Sequence, residues 1–314
     1  MPPPEQVSRR IKLRQLNVLM AVAERGSMAK AAAQLAISQP VVSKAIAELE
    51  QTLGVRLFDR GPQGVELTLY GRSLLKRSIG ILDDLRTGVA EIEFLADPEA
   101  GELRIGTTEP FAAGLVAEVI EILSRRHPRI AFHVLQNDPI ALVDRELRER
   151  RVDLTIGRLP AVAQGGEFES TVLFRDELVA VCGANSKWAR RRKVALGELI
   201  DEPWCIPPPD SPVGSQFIAA FRAAGLEPPR RTVSGFSFQL TAGLVTQGRF
   251  LAMFGESILR LTAKRASMKA LPLDLQVPRW PAGVVMLKDR TISPVAQLFI
   301  DCARDVVERS IKQK

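Results

Sequence analysis

Residues 26–75 read GSMAKAAAQLAISQPVVSKAIAELEQTLGVRLFDRGPQGVELTLYGRSLL, and the fold of the amino-terminal part turns on them. Just upstream, residues 12–25 (KLRQLNVLMAVAER) place Leu13, Leu16, Met20 and Ala23 on one helical stripe, with Leu19 beside it. Gly26 stops that helix and Ser27 caps the next, residues 28–35, whose alanines suit a short helix packed close to its neighbours. Ala36 and Ile37 make a tight turn. Ser38 is a second N-cap, and Pro40 falls in the first helical turn, where its missing N–H costs nothing. Val42, Ile46, Leu49 and Leu53 then recur at helical spacing until Gly54. Val55–Arg60 and Val65–Thr68 read as two strands joined by a Gly-Pro-Gln-Gly turn at 61–64. Three helices with tight turns, followed by a hairpin, describe a winged helix-turn-helix.

In such a motif the amino-terminal end of the third helix points into the major groove. Gln39 stands there, and its amide can both donate to and accept from an adenine edge. Pro40 and Val41 offer apolar contact to a thymine methyl. Ser43 and Lys44 are placed for a phosphate or a base. Ser27, Lys30 and Ser38 sit at helix starts, where free N–H groups favour phosphate. Arg56 and Arg60 lie on the wing, within reach of phosphates or the minor groove.

The 26–75 run also resembles the DNA-binding head of the LysR-type transcriptional regulators. An Ala-Ala pair (Ala31-Ala32), then S-Q-P-V-V-S (38–43), I-x-x-L-E-x-x-L-G (46–54), L-F-x-R (57–60) and L-T-x-x-G (67–71) follow in order over about 50 residues, and the rest of the chain matches that family in length and layout. The resemblance implies a cytoplasmic homo-oligomer, a dimer or a dimer of dimers, acting on promoter DNA and RNA polymerase under the control of a small-molecule effector. It implies no catalytic residue, no metal and no cofactor.

Charge agrees with a DNA-binding head. Residues 1–80 carry a net +6, residues 81–97 a net −4 and residues 98–314 a net +5. A basic head suits a polyanion. The whole chain has 314 residues, 46% hydrophobic and 25% charged, which excludes a disordered or disulfide-stapled protein. No apolar run approaches membrane-span length, and the first residues lack the apolar core of an export signal. Cys182, Cys205 and Cys302 are scattered and read as reduced thiols; His127 and His133 are few for a metalloenzyme or hydrolase. Walker, nucleophile-elbow and dinucleotide-binding motifs are missing.

Residues 69–97 hold Leu75, Ile79, Leu82, Leu85, Val89, Ile92 and Leu95 at spacings of three and four, a long helix suited to pairing with a second copy. Downstream, strands at 103–107, 130–136 and 152–157 alternate with helices, which predicts a parallel sheet. A second unit starts near residue 177, and a strand at 283–288 with a final helix at 293–312 returns to the first. Three domains are expected: a winged helix-turn-helix (1–71), a linker helix for dimerisation (72–97) and an effector-binding domain (98–314). The last resembles a two-lobed, periplasmic-binding-protein-like α/β domain, with lobe I at about 98–176 and 283–314 and lobe II at about 177–282.

Ligands bind beyond the carboxyl ends of strands in open α/β sheets. That places Thr107, Thr108, Glu109 and Phe111 after the first strand, Arg158 after the third, Pro207, Asp210 and Ser211 after a short strand at 204–206, and Phe236 and Gln239 at the head of a lobe II helix. Glu109 at this position disfavours a bare carboxylate ligand unless Arg158 or Arg249 compensates. Thr107 and Thr108 could instead be caps, and Arg158 could pair with Asp153. Two rival functions stay open at this point: a ligand-independent architectural DNA binder, and an enzyme carrying a DNA-binding head.

Overall fold

The computed structural model describes residues 7, 9–61, 64–261, 267–273 and 275–312, in two compact units that meet near residue 92. The first unit opens with helices α1 (Leu13–Arg25), α2 (Met28–Gln34) and α3 (Gln39–Leu53), then strands β1 (Phe58–Gly61) and β2 (Gly64–Leu67). Gly26 adopts φ +61° and Ala36 φ +52°, so both inter-helix turns use left-handed backbone. Leu16, Leu19, Val22, Ala31, Val42, Ile46 and Leu49 form the core of this head. The α1 stripe is rotated from the expected one: Leu13 is exposed, and Gln15, Val18 and Val22 are buried. The tertiary partner overrides here because Gln15 donates to Glu48 of α3 and so turns that face inward.

The wing is pinned by the motif residues. Glu50 Oε1 accepts the N–H groups of Leu57 (2.7 Å) and Phe58 (3.2 Å), so β1 begins at Phe58, later than the expected Val55. Thr68 donates to the Arg56 carbonyl and accepts from Gly71 N–H. A Cβ at Gly71 would lie 2.1 Å from the Leu57 carbonyl oxygen, which is why the last position of the L-T-x-x-G motif is glycine. The wing tip at 62–63 lies outside the described residues.

Helix α4 (Leu69–Ala96) follows, 28 residues long. Ile81, Leu85, Val89, Ile92 and Leu95 are exposed along it.

The second unit holds two five-stranded sheets. Lobe I combines β3 (Ala100–Thr107), β4 (Arg129–Gln136), β5 (Leu154–Arg158), β6 (Phe168–Asp176) and β12 (Trp280–Leu287) in the order β4-β3-β5-β12-β6. Only β4, β3 and β5 are parallel; β12 runs antiparallel to both β5 and β6, so the sheet is mixed rather than parallel. Strand β6 was not foreseen. It is an edge strand with mostly polar or half-exposed side chains, so it has no apolar run to betray it.

Helix α5 (109–126) and helix α6 (139–147) each contain a π-helical stretch. The carboxy-terminal helix α10 (Pro294–Lys312) packs Val295, Phe299, Ala303 and Val306 onto the lobe I core beside Leu103, Ile105 and Val119.

Lobe II combines β7 (Leu178–Gly183), β8 (Trp204–Ile206), β9 (Thr232–Ser234), β10 (Leu251–Gly255) and β11 (Met268–Ala270) in the order β11-β7-β10-β8-β9. Its helices are α7 (Pro212–Ala223), α8 (Phe238–Thr246) and α9 (Glu256–Leu261). Trp204 is fully buried, donates to the Leu199 carbonyl and meets Phe217 and Phe221 edge-on. Cys182, Cys205 and Cys302 are buried free thiols. Burial pushes the Cys205 thiol up to about 11. Among the described residues no helix is long and apolar enough to cross a membrane.

Candidate functional site

Two sets of residues concern function, one in each unit. In the head, α3 starts at Gln39, and Ser38, Gln39, Pro40 and Val41 are all exposed at its amino-terminal end. Ser38 takes the N-cap position with extended backbone, but its hydroxyl makes no capping hydrogen bond, contrary to its expected role. The proline at the second helical position has no N–H to offer, and the Ser38 carbonyl takes the N–H groups of Val41 and Val42. Ser27 does cap α2, accepting Lys30 N–H at 3.5 Å. Lys30, Lys44 and Arg56 are exposed and form no ion pair among the described residues, and Ser43 is half-buried beside them on α3. Arg60 lies on β1 opposite Val65, and its side chain is outside the described residues. The outcome is an exposed helix end in a head that also exposes Lys30, Lys44 and Arg56.

The second set lies at the carboxyl ends of the strands of the α/β unit. Thr107 is fully buried, and its hydroxyl donates to the Ile156 carbonyl at 2.8 Å, tying β3 to β5. That leaves Thr108, half-exposed and without a capping bond, as the hydroxyl available at the surface. Phe111 points inward, is 6% exposed and packs near Phe174 in the lobe I core.

Arg158 does not pair with Asp153. Asp153 is held instead by Arg104 (2.9 Å) and Arg290 (2.6 Å). Burial raises the Asp153 carboxyl, but the Arg104 hydrogen bond and the two guanidinium charges outweigh it and bring the group down to about 2. Arg158 lies over the Trp280 ring at 4.1 Å, and its buried Nη1 has no hydrogen-bond partner among the described residues. Burial pushes the Arg158 guanidinium down to about 10, partly offset by the charge of Asp176, so it stays protonated at neutral pH. Thr108 and Arg158 line one shared depression with Pro139, Pro160, Gly157 and Leu142. Its volume is about 10 Å³, room for about one water molecule.

In lobe II, the loop after β8 is tightly tied. Ser211 donates to the Pro208 carbonyl (2.6 Å) and accepts Gly214 N–H (3.0 Å), so it is the cap of α7. Pro207 is half-buried and Asp210 exposed on the same loop. Gly235 N–H donates to the Ile206 carbonyl, which sets the head of α8 beside this loop. There Phe236 is 62% exposed and Gln239 is exposed. Glu109 of lobe I crosses to this point: its carboxylate accepts the backbone N–H groups of Phe238 (2.8 Å) and Gln239 (3.0 Å).

Sequence reasoning missed Trp280, whose ring lies under Arg158, and Pro139 and Pro160, which line the depression; none of the three carries a local motif. His133 is exposed, 3.8 Å from Glu102. The described residues contain no group of three or more His, Cys, Asp or Glu side chains able to hold a metal ion.

Comparison with known proteins agrees with this arrangement. Residues 13–72 match the family described as bacterial regulatory helix-turn-helix protein, lysR family, and residues 96–308 match the LysR substrate binding domain. The HTH-type transcriptional regulator GbpR of Azospirillum brasilense is 30% identical over 97% of this chain and 89% of its own length. The transcriptional dual regulator GltC of Bacillus subtilis is 27% identical over 93% of this chain and 96% of its own. Among solved structures, full-length OxyR of Pseudomonas aeruginosa superposes with a TM-score of 0.67 at 20% identity, covering 94% of this chain and 95% of that one. Full-length CbnR complexed with its target DNA gives 0.63 at 21% identity, covering 96% and 100%. Those two share the fold. With a helix-turn-helix of this family at residues 13–72 and a LysR substrate-binding domain at 96–308, the chain is a LysR-type transcriptional regulator.

Proposed function

We propose that this regulator works as a homo-oligomer whose paired heads read an approximate inverted repeat in promoter DNA, and that a small metabolite between the lobes resets how the heads are held. The observation that carries the reading is the head of α3. Gln39, Pro40 and Val41 stand exposed there, and Lys30, Lys44 and Arg56 of the same head are exposed and form no ion pair among the described residues. Such a surface gains most by meeting base edges and phosphates. In this reading Gln39 reads a base pair, Pro40 and Val41 touch a thymine methyl, and Ser27, Lys30, Ser38, Ser43, Lys44, Arg56 and Arg60 hold phosphates or flanking bases.

Pairing through α4 is supported by its exposed Ile81, Leu85, Val89, Ile92 and Leu95, which share one helical face. A second head tethered in this way raises affinity through effective concentration. The effector contacts are Thr108 and Arg158 from lobe I and Pro207, Asp210, Phe236 and Gln239 from lobe II, with Thr107, Phe111 and Ser211 shaping the walls behind them. A coupling of about 1–3 kcal/mol between cleft and heads suffices for a 5- to 150-fold regulatory effect. RNA polymerase is the partner through which altered DNA geometry reaches transcription.

Replacing Gln39 with Ala tests the DNA half: binding to the specific site weakens by about 1–3 kcal/mol while binding to random duplex is unchanged. Equal losses on both duplexes would contradict base readout. A thermal-shift screen of metabolites tests the other half, since a ligand of the folded state raises the melting temperature by mass action.

A further inference from the structure

A carboxylate from lobe I occupies the amino-terminal end of a lobe II helix. Helix α8 has nine residues, and the N–H groups of its first turn lack intrahelical partners by construction. Phe238 N–H goes to Glu109 Oε2, Gln239 N–H to Glu109 Oε1, and Leu240 N–H to Ser237 Oγ at 3.2 Å. Two of these three donors are therefore satisfied by a residue 129 and 130 positions earlier in the chain. Each end of this link is rooted in a packed core. Phe238 is 4% exposed and meets the Phe254 ring at 5.3 Å. On the other side Phe111, two residues beyond Glu109, is buried in lobe I, and Pro110 fixes the intervening turn.

We propose that Glu109 is an internal stand-in for an acidic ligand. It straps the two lobes together across the cleft and selects against effectors that would put a carboxylate at the head of α8. A helix amino terminus favours an anion through its unpaired N–H groups and its dipole, and charge-assisted bonds of this kind are about twice as strong as neutral ones. Glu109 already takes both outermost donors in the geometry an incoming carboxylate would need. A second carboxylate there must displace it or lie beside a like charge. A ligand carrying hydroxyl or amine donors instead finds unused lone pairs on the same two oxygens. The consequence for effector class rests on the proposed effector function; the strap itself does not.

The test uses the full-length protein with no effector present. E109A and E109Q are compared with the parent chain by thermal unfolding in sodium acetate and in sodium chloride of equal ionic strength, and by hydrogen exchange of the peptide covering residues 238–240. In E109A, exchange protection at Phe238 and Gln239 falls about tenfold, since a lost bond of this strength is worth about that factor. The melting temperature drops, and acetate restores both while chloride does not. The parent chain shows no acetate-specific gain. E109Q keeps one acceptor oxygen, falls between the two, and supplies the comparison if E109A does not fold. Unchanged protection at 238–240 in both variants, or equal responses to acetate and chloride, overturns the strap and leaves the effector proposal standing. Acetate rescue alongside a failed metabolite screen leaves the strap and removes only its bearing on effector class.

Discussion

The head and the α/β unit use their polar groups in opposite ways. In the head, the groups that hold the wing find partners close by in the chain: Glu50 reaches Leu57 and Phe58, seven and eight residues away, and Thr68 reaches Arg56 across twelve, while Gln15 reaches Glu48 across 33. On α3, Gln39, Pro40, Val41 and Lys44 stand exposed. In the α/β unit the reverse holds. Asp153 binds Arg104 and Arg290 across 49 and 137 residues, and Glu109 binds the head of α8 across 129. A surface for a partner such as DNA can stand open, because water solvates it until the partner arrives. The cleft already has its own groups bridging its halves, so a ligand entering it as proposed competes with an existing arrangement.

The largest test of this contrast removes the centre of lobe II. Trp204→Ala deletes a fully buried indole and its bond to Leu199, and the effector-binding unit loses about 3–5 kcal/mol in denaturant titration. The head is built on its own core and keeps its fold, so helical signal and non-specific DNA binding persist after the first transition. A single shared transition would erase the contrast.

Next in size is the Asp153 cluster. Its carboxyl is brought from 3.8 to about 2 in the folded chain, so the group contributes stability above about pH 4 that disappears as the pH falls toward 2. Asp153→Asn costs about 2 kcal/mol at neutral pH, and the gap between variant and parent closes on acidification. A pH-independent gap would assign the cost to packing instead of charge.

The smallest effect sharpens the description of the head. Ser27→Ala removes an N-cap whose bond is already long, at 3.5 Å, and costs about 0.5 kcal/mol. A clearly larger loss in thermal melting would show that the head also depends on its polar caps.

Much of the head was legible because its signals are local. Gly26 and Gly54 mark helix ends, and the order of short motifs from Ala31 to Gly71 carried the family. The error in α1 came from one buried glutamine, which the hydrophobic pattern cannot see. Ser38 misled because its N-cap backbone does not oblige its hydroxyl to bond. In the α/β unit the strands with apolar runs were readable, whereas β6, polar along an edge, was not.

The proposed effector site was legible only by loop: the carboxyl ends of β3, β5 and β8 and the start of α8 followed from the reading of strands and helices. That Thr107 would turn inward, that Arg158 would lie on Trp280 and leave Asp153 to others, and that Glu109 would reach α8 depend on how distant strands register. The amino-acid sequence by itself determined the basic winged head, the long helix and the α/β character of the rest, since those follow from helical and strand periodicity and from glycine and proline positions. Only the tertiary structure decided which polar groups meet across the cleft, because a hydrogen bond between residues 109 and 238 has no trace in the pattern around either one.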